Sequence, residues 1–231
     1  MLTAATGATG LLLIPLMIQF GVEPRIAIAT NMAIMVLMNA GSSVGFHGED
    51  AGGTRRLLWL SGLTLAGSAV GAVLMLRVPA TALRLVVPVA MIGVLIVLLA
   101  TPARAAHAAL PSPRKLVAGY GMVLVLGVYG GFFSGGYVTM MVAAFTFFFA
   151  YSFLEAIALS RLMNVVSSVI AAGVFAVSGT VDWKLAGVLG VVAFAGAYVG
   201  ARLARRLSLL WLRRVFLAAV AAMAVKTLID L

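Results

Sequence analysis

The chain has no cysteine, two histidines and only six carboxylates among its 231 residues. Without cysteine there is no disulfide framework, no thiolate metal site and no thiol nucleophile, although the redox compartment stays open. A hydrolase or metal enzyme needs clustered histidines and acids, and none are clustered here. His47 and His107 fall at the end of an apolar run and in the central link, and Glu23, Glu49, Asp50, Glu155, Asp182 and Asp230 fall in loops or near helix ends. The sequence therefore predicts no catalytic residue, no metal ligand set and no cofactor, and argues against an enzyme. Charge of any kind is also scarce, at 10% of residues, where a soluble domain uses about a quarter.

What the chain does have is apolar length. Hydrophobic residues make up 64% of it and mean hydropathy is +1.18. Apolar segments run roughly over 2–20, 26–46, 57–76, 82–101, 116–131 with 136–150, 156–178, 185–204 and 211–229. Several approach the ~20 residues that cross a hydrocarbon core, so the solvent is a bilayer. The N-terminus lacks the basic region and cleavage site of a signal peptide, and the first run is expected to stay in the mature protein. The net charge of +10 is not a nucleic-acid footprint, because the basic residues flank apolar spans and form no stripe interleaved with aromatics.

The segment 102–115 carries three prolines and the longest polar break, which divides the chain into a first repeat, 1–101, and a second, 116–231. The halves match at a constant offset of 129: Gly67 and Gly71 with Gly196 and Gly200, Ala27 and Ala29 with Ala156 and Ala158, Gly7 with Gly136, and Arg84 with Arg213. Met1 then aligns with Gly130, so the first half shows no counterpart to 116–129: either that half-helix is lost or the true start lies upstream of Met1. If 116–150 folds back as a hairpin, ten basic residues lie on one face: Arg55, Arg56, Arg104, Arg114, Lys115, Arg202, Arg205, Arg206, Arg213 and Arg214. The other face keeps Arg25, Arg77, Arg84, Lys184 and Lys226. The richer face is expected to be cytoplasmic, and the matched halves then run in opposite directions, as in transporters with inverted repeats. The expected fold is all-α: a polytopic transmembrane bundle of about 7–9 membrane segments, built from two inverted repeats with broken or re-entrant helices.

In such folds the binding site lies where corresponding helices are interrupted by glycine. GVYGGFFSGGYVTM supplies Gly130, Gly131, Gly135 and Gly136, and TGATG supplies Gly7 and Gly10 at the matching point. A helix restarting after a break presents unpaired N–H groups and its positive dipole end to an anion. Gly67, Gly71, Gly196 and Gly200 read instead as packing glycines. Arg161 lies inside an apolar helix, where a guanidinium is costly unless it pairs or lines a cavity. Arg161, Asn164 and Ser168 share a face, with Ser160 beside them, and the first half offers Thr30, Asn31, Asn39, Ser42 and Ser43 instead. The candidate substrate-binding set is Gly7, Gly10, Asn31, Gly135, Gly136, Thr139, Ser160, Arg161 and Asn164.

TGATGLLLIPLMIQFGVEPRIAIATN resembles the first-repeat motif of the sulfite exporter TauE/SafE family, and GVYGGFFSGGYVTM, AIALSRLMN, GTVDW and GAYVGARLARRL are similar to its second repeat. The resemblance covers nearly the whole chain. It implies a multipass permease of the bacterial inner membrane, associated with sulfite, sulfonates and related small anions. The family's motif positions fall on Gly7, Gly10, Pro15 and Thr30, and on Gly135, Gly136, Ser160 and Arg161. Two departures stand out: the leading helix of the first repeat is missing, and Leu159 answers Thr30. The expected function is a secondary-type transporter for a small anion, working by alternating access around a midplane site. A non-transporting membrane scaffold or assembly subunit is the alternative. The partners implied are the lipid bilayer, a small anionic substrate and, as an open option, a second copy in a homodimer.

Overall fold

The computed structural model describes residues 9–43, 54–100 and 112–204, with five positions between 218 and 226. Among the described residues the chain is helical, without a strand. Eight helices follow one another: α1 (Thr9–Gln19), α2 (Pro24–Ser43), α3 (Thr54–Arg77), α4 (Ala80–Ala100), α5 (Pro113–Phe132), α6 (Tyr137–Phe149), α7 (Phe153–Val177) and α8 (Trp183–Ala204). They fall on the apolar segments read from the sequence. The last expected segment, 211–229, lies almost wholly outside the described residues.

A helix satisfies every backbone polar group within one segment, which lipid demands. The ends are set by local chemistry. Ser112 caps α5, accepting from the Lys115 N–H at 3.4 Å, with Pro113 in the first turn. Ser152 and Glu155 form a capping box at α7: the Glu155 carboxylate accepts from the Ser152 N–H at 2.8 Å. The Asp182 carboxylate accepts from the Leu185 N–H at the start of α8. Gly21 stops α1 in a left-handed conformation (φ 87°), with the Val22 N–H donating to the Met17 carbonyl. That pairing needs a positive φ that glycine adopts at little cost.

Among the described residues, three stretches have the length and hydropathy to cross a membrane: Arg55–Arg77, Pro113–Phe132 and Glu155–Val177. Leu58, Trp59, Val117, Val125, Val188 and Val191 project outward. An outer surface this apolar is the face a protein turns to lipid. By contrast α6, with 13 residues, spans only about 20 Å of a ~30 Å hydrocarbon core. It is a half-span.

One helix start recurs at the same interval: Pro24 and Phe153, which open α2 and α7, lie 129 positions apart. So do Gly21 and Ala150, the left-handed residues that end α1 and α6.

The tightest packing joins α3 and α5, which run parallel. A methyl group on Gly67 would lie 2.6 Å from the Leu124 carbonyl oxygen, one on Gly71 1.9 Å from that of Val128, and one on Gly131 2.1 Å from that of Ser68. On the other helix Gly127 faces Thr64 and Gly67. Two glycine pairs, each spaced by four, thus bring backbone against backbone, as membrane helix pairs commonly do. The packing role expected for Gly67 and Gly71 is what the structure displays. Gly196 and Gly200 lie in α8, but their surroundings fall outside the described residues.

Candidate functional site

The expected interruption in the second half is present, one turn later than its first glycines suggest. α5 continues through Gly130 and Gly131 to Phe132 as a full-length helix, although the sequence placed both glycines in the interruption. Gly130 and Gly131 serve close packing against Ser167, Tyr137 and Ser68. The break is Phe133–Gly136, with Ser134 (φ 58°) and Gly136 (φ 74°) both left-handed. The Tyr129 hydroxyl donates to the Gly135 carbonyl at 2.6 Å, and the Tyr137 N–H donates to the Ser134 carbonyl. α6 then starts in the interior with no side-chain cap, since Gly136 has no side chain to offer. α5, α7 and α8 are all capped by a side chain at their starts. A buried, uncapped helix start leaves the positive end of its dipole for something else to satisfy.

After the break the chain reverses. Phe149, at the end of α6, packs edge-on against Tyr120 near the start of α5, and Lys115 sits over the Phe147 ring at 5.1 Å. α5 and α6 therefore form a re-entrant hairpin. It delivers Tyr151 to the start of α3, where Arg56 donates to its hydroxyl at 3.4 Å. α1 leaves toward the other end: beyond it, Arg25 donates to the Val78 carbonyl, just past the end of α3, at 2.7 Å. α3 has 24 residues, a rise of about 36 Å. α1 and α6 thus exit at opposite ends of the bundle. α2 and α7 are likewise opposed, because the Asp182 N–H, just beyond α7, donates to Thr30 near the start of α2.

The start of α6 meets α1 at Gly10. A methyl group on Gly10, in the first described turn of α1, would lie 3.5 Å from the Gly135 Cα and 3.0 Å from the Asn31 Nδ2. Glycine is needed here, because any side chain on Gly10 would fill the gap between the two segments. Asn31 is fully buried, and neither its Nδ2 nor its Oδ1 has a hydrogen-bond partner among the described residues. The same holds for Ser134 Oγ, Ser160 Oγ, Asn164 Oδ1 and Ser168 Oγ. Each such buried group costs about 1–3 kcal/mol if left unsatisfied. A cluster of them in an apolar bundle calls for a polar occupant.

The neighbouring polar seam behaves differently. Ser68 donates to the Gly127 carbonyl at 3.1 Å and pairs with Ser167 at 2.7 Å, while Thr64 donates to the Met163 sulfur. α7 therefore carries two polar faces. The one bearing Met163 and Ser167 is satisfied by packing; the one bearing Ser160, Asn164 and Ser168 is not.

Of the residues singled out from the sequence, Gly10 lies against both Asn31 and Gly135. Gly136 adjoins them and packs on Val94, where a methyl would lie 2.2 Å from its Cγ1. Ser160 and Asn164 are buried on one stripe of α7. Arg161, half-buried beside that stripe, has its Nε enclosed. Thr139 is half-buried in the first turn of α6. Gly7 and the side chains of Asn39, Ser42 and Ser43 lie outside the described residues. Thr30 is committed to the Asp182 backbone. Sequence reasoning passed over Ser134 and Gly127; the signal for Ser134 was its place as a polar residue between two glycine pairs. Among the described residues no group of three His, Asp or Glu could hold a metal.

Comparison with known proteins agrees with this architecture. The chain is 28% identical to the probable membrane transporter protein YfcA of Escherichia coli (strain K12) over 236 aligned positions, covering 97% of the chain and 83% of the relative. It is 26% identical over 198 residues to the probable membrane transporter protein ORF9 of Sinorhizobium sp, covering 86% of the chain and 76% of the relative. A probable membrane transporter protein of Haemophilus influenzae (strain ATCC 51907 / DSM 11121 / KW20 / Rd) is 25% identical over 204 residues, covering 88% and 78%. No solved structure matches the chain. The family model for the sulfite exporter TauE/SafE matches residues 1–227, and the chain belongs to this family of membrane transporters.

Proposed function

We propose that the protein is a bacterial inner-membrane permease for a small anion, sulfite or a sulfonate being the class the family name suggests. The reading rests on one observation above all: the buried, uncapped start of α6 meets α1 at Gly135 and Gly10, beside the buried amide of Asn31. Such a helix start near the midplane turns its positive dipole end toward a ligand without a metal. The Asn31 amide and the hydroxyls of Ser134 and Ser160 add neutral hydrogen-bond donors. Arg161, beside the same stripe of α7, compensates the charge that the anion brings into a low-dielectric interior. Thr139 and Asn164 complete the lining.

The opposite exits of α1 and α6, the opposed α2 and α7, and the 129-residue recurrence of the α2 and α7 starts favour two inverted repeats, 1–101 and 116–231, joined by 102–115. In that arrangement each half rocks against the other and opens one face at a time. Arg55, Arg56, Arg114 and Lys115 gather at the end where α3 and α5 start, and with Arg104, Arg202, Arg205, Arg206, Arg213 and Arg214 expected from the sequence on that face, the positive-inside bias favours it as cytoplasmic.

The test is flux of radiolabelled sulfite into proteoliposomes, comparing the wild type with Arg161→Ala and Gly136→Leu. Both variants are expected to lose flux by at least about tenfold, since removing a charged partner from a buried ligand costs upward of ~1.4 kcal/mol. Undiminished flux in both variants would dispose of the site.

A further inference from the structure

Two polar lines run up α7, and they differ in what meets them. Ser160, Asn164 and Ser168 recur at intervals of four, which sets them one above another with a rise of about 6 Å per step and about 12 Å in all. All three are at most 2% exposed, and Ser160 Oγ, Asn164 Oδ1 and Ser168 Oγ have no hydrogen-bond partner among the described residues. Met163 and Ser167 form the neighbouring line. Thr64 donates to the Met163 sulfur at 3.3 Å and Ser68 to the Ser167 hydroxyl at 2.7 Å, so α3 occupies that line. The unsatisfied line is too long to hold one small ligand. It is a series of polar steps.

The steps have a direction. A methyl on Gly130 would be 2.8 Å from both Ser167 Oγ and the Tyr137 ring, which puts that turn of α7 beside the start of α6. Ser168 is therefore level with the helix break, and Asn164 and Ser160 lie progressively nearer the start of α7. That start is at the end of the bundle where α3 starts, because Tyr151, two residues before it, meets Arg56. Beyond Ser168 the same face turns apolar, with Ala171 and Phe175 fully buried in the core. The polar steps thus run from the break toward one end of the bundle only. Between Ser160 and that end, Ala156 packs in one apolar cluster with Phe145 and Phe149, and Tyr151 lies against it.

Buried polar groups cost about 1–3 kcal/mol each when left unsatisfied, a cost that wetting the line removes. A serine hydroxyl donates to a passing oxyanion, and the Asn164 carbonyl, which only accepts, takes a hydrogen bond from water that travels with it. We propose that the face of α7 bearing Ser160, Asn164 and Ser168 is a wall of the anion's path between the helix break and the end where α3 and α5 start. The cluster of Phe145, Phe149 and Ala156 closes this half of the path in the conformation described. This inference rests on the anion-permease reading. Alternating access requires a second conformation in which the face meets water, and minor states of this kind are ~0.1–10% populated.

The chain has no cysteine, so single cysteines report water contact directly. Ser160→Cys, Asn164→Cys and Ser168→Cys are compared with Met163→Cys and Ser167→Cys in right-side-out and inverted vesicles. The probe is an impermeant, negatively charged thiosulfonate reagent, and mass spectrometry reads the modified fraction. The three cysteines of the unsatisfied line are expected to react at least about tenfold faster than the two of the packed line, since only the first set is exposed when the path opens. They should react from the side on which Arg114→Cys reacts and not from the other. Equal reactivity of the two sets would overturn the proposal, as would reaction from the opposite side alone. Cysteine differs from serine by one atom, so Ser160→Cys and Ser168→Cys carry the test should Asn164→Cys not fold. Wild-type sulfite flux, measured without the reagent, separates the two readings. Flux alongside an unreactive line removes the path and leaves the permease. Absence of flux removes the permease reading, while the labelling contrast still decides whether this face meets water.

Discussion

The seam between α3 and α5 lends itself to a quantitative test, because its geometry leaves no room for relaxation by side chains. An alanine methyl at Gly71 would sit 1.9 Å from the Val128 carbonyl oxygen and 2.9 Å from the Phe132 nitrogen; at Gly131 it would sit 2.1 Å from the Ser68 carbonyl oxygen and 2.6 Å from its Cα. All four atoms are backbone. Restoring ordinary carbon–oxygen contact requires the helices to part by about 1 Å or more, and over-packing of this kind costs about 1–3 kcal/mol per site. Parting the helices also pulls Ser68 from the Gly127 carbonyl and from Ser167, at about 0.6 kcal/mol for each interhelical bond in a membrane. Gly71→Ala and Gly131→Ala are therefore each expected to lose about 2–4 kcal/mol. Gly121→Ala and Gly187→Ala provide the control. Both glycines are exposed in helices with nothing within 4 Å of the added methyl, and exchange there should be neutral or stabilising by up to ~1 kcal/mol. Unfolding of the four variants in mixed micelles, read by circular dichroism against denaturing detergent, measures the contrast. If Gly71→Ala and Gly131→Ala unfold no more easily than the two controls, the backbone-to-backbone seam is refuted.

Two further outcomes follow from the same geometry. With no native cysteine to remove, Glu23→Cys and Arg114→Cys report sidedness directly: an impermeant maleimide should label one in right-side-out vesicles and the other only in inverted ones. Labelling of both from the same side would contradict the opposite exits of α1 and α6. Asn31→Leu exchanges an unsatisfied amide for an apolar side chain of similar shape, so the midpoint of unfolding should hold or rise by up to ~2 kcal/mol equivalent while sulfite flux disappears. A variant destabilised in parallel with its loss of flux would mean that Asn31 serves the fold rather than the ligand.

Much of this architecture was legible in the sequence because the bilayer constrains it so strongly. Apolar runs mark helices whether or not their packing is known, and the eight described helices fall where those runs do. The break at Phe133–Gly136 was visible because few sequences place four glycines in seven residues without a turn. Composition could not assign each glycine, since a packing glycine and a turn glycine look alike until the opposing backbone is placed. Gly130 and Gly131 consequently read as part of the break, although Ser68 and Ser167 claim them for the α3–α5–α7 seam. Thr30 was equally opaque, because its commitment to the Asp182 N–H joins residues 152 positions apart. The polar stripe of α7 was predicted from periodicity alone. Its division into a satisfied face and an unsatisfied one depends on which helices lie against it, and only three-dimensional packing supplies that.

The meeting of α1 with the start of α6 can be measured directly by cross-linking. Gly10 and Gly135 approach so closely that their Cα atoms fall within about 5 Å, inside the 4.4–6.8 Å range that a disulfide bridges. In a Gly10→Cys, Gly135→Cys variant, otherwise free of cysteine, mild oxidation should join the two residues, and a small sulfonate occupying the gap, which unlike sulfite does not cleave disulfides, should slow the joining. A folded variant that never forms the bridge, or one that forms it at the same rate with and without the anion, would contradict the account.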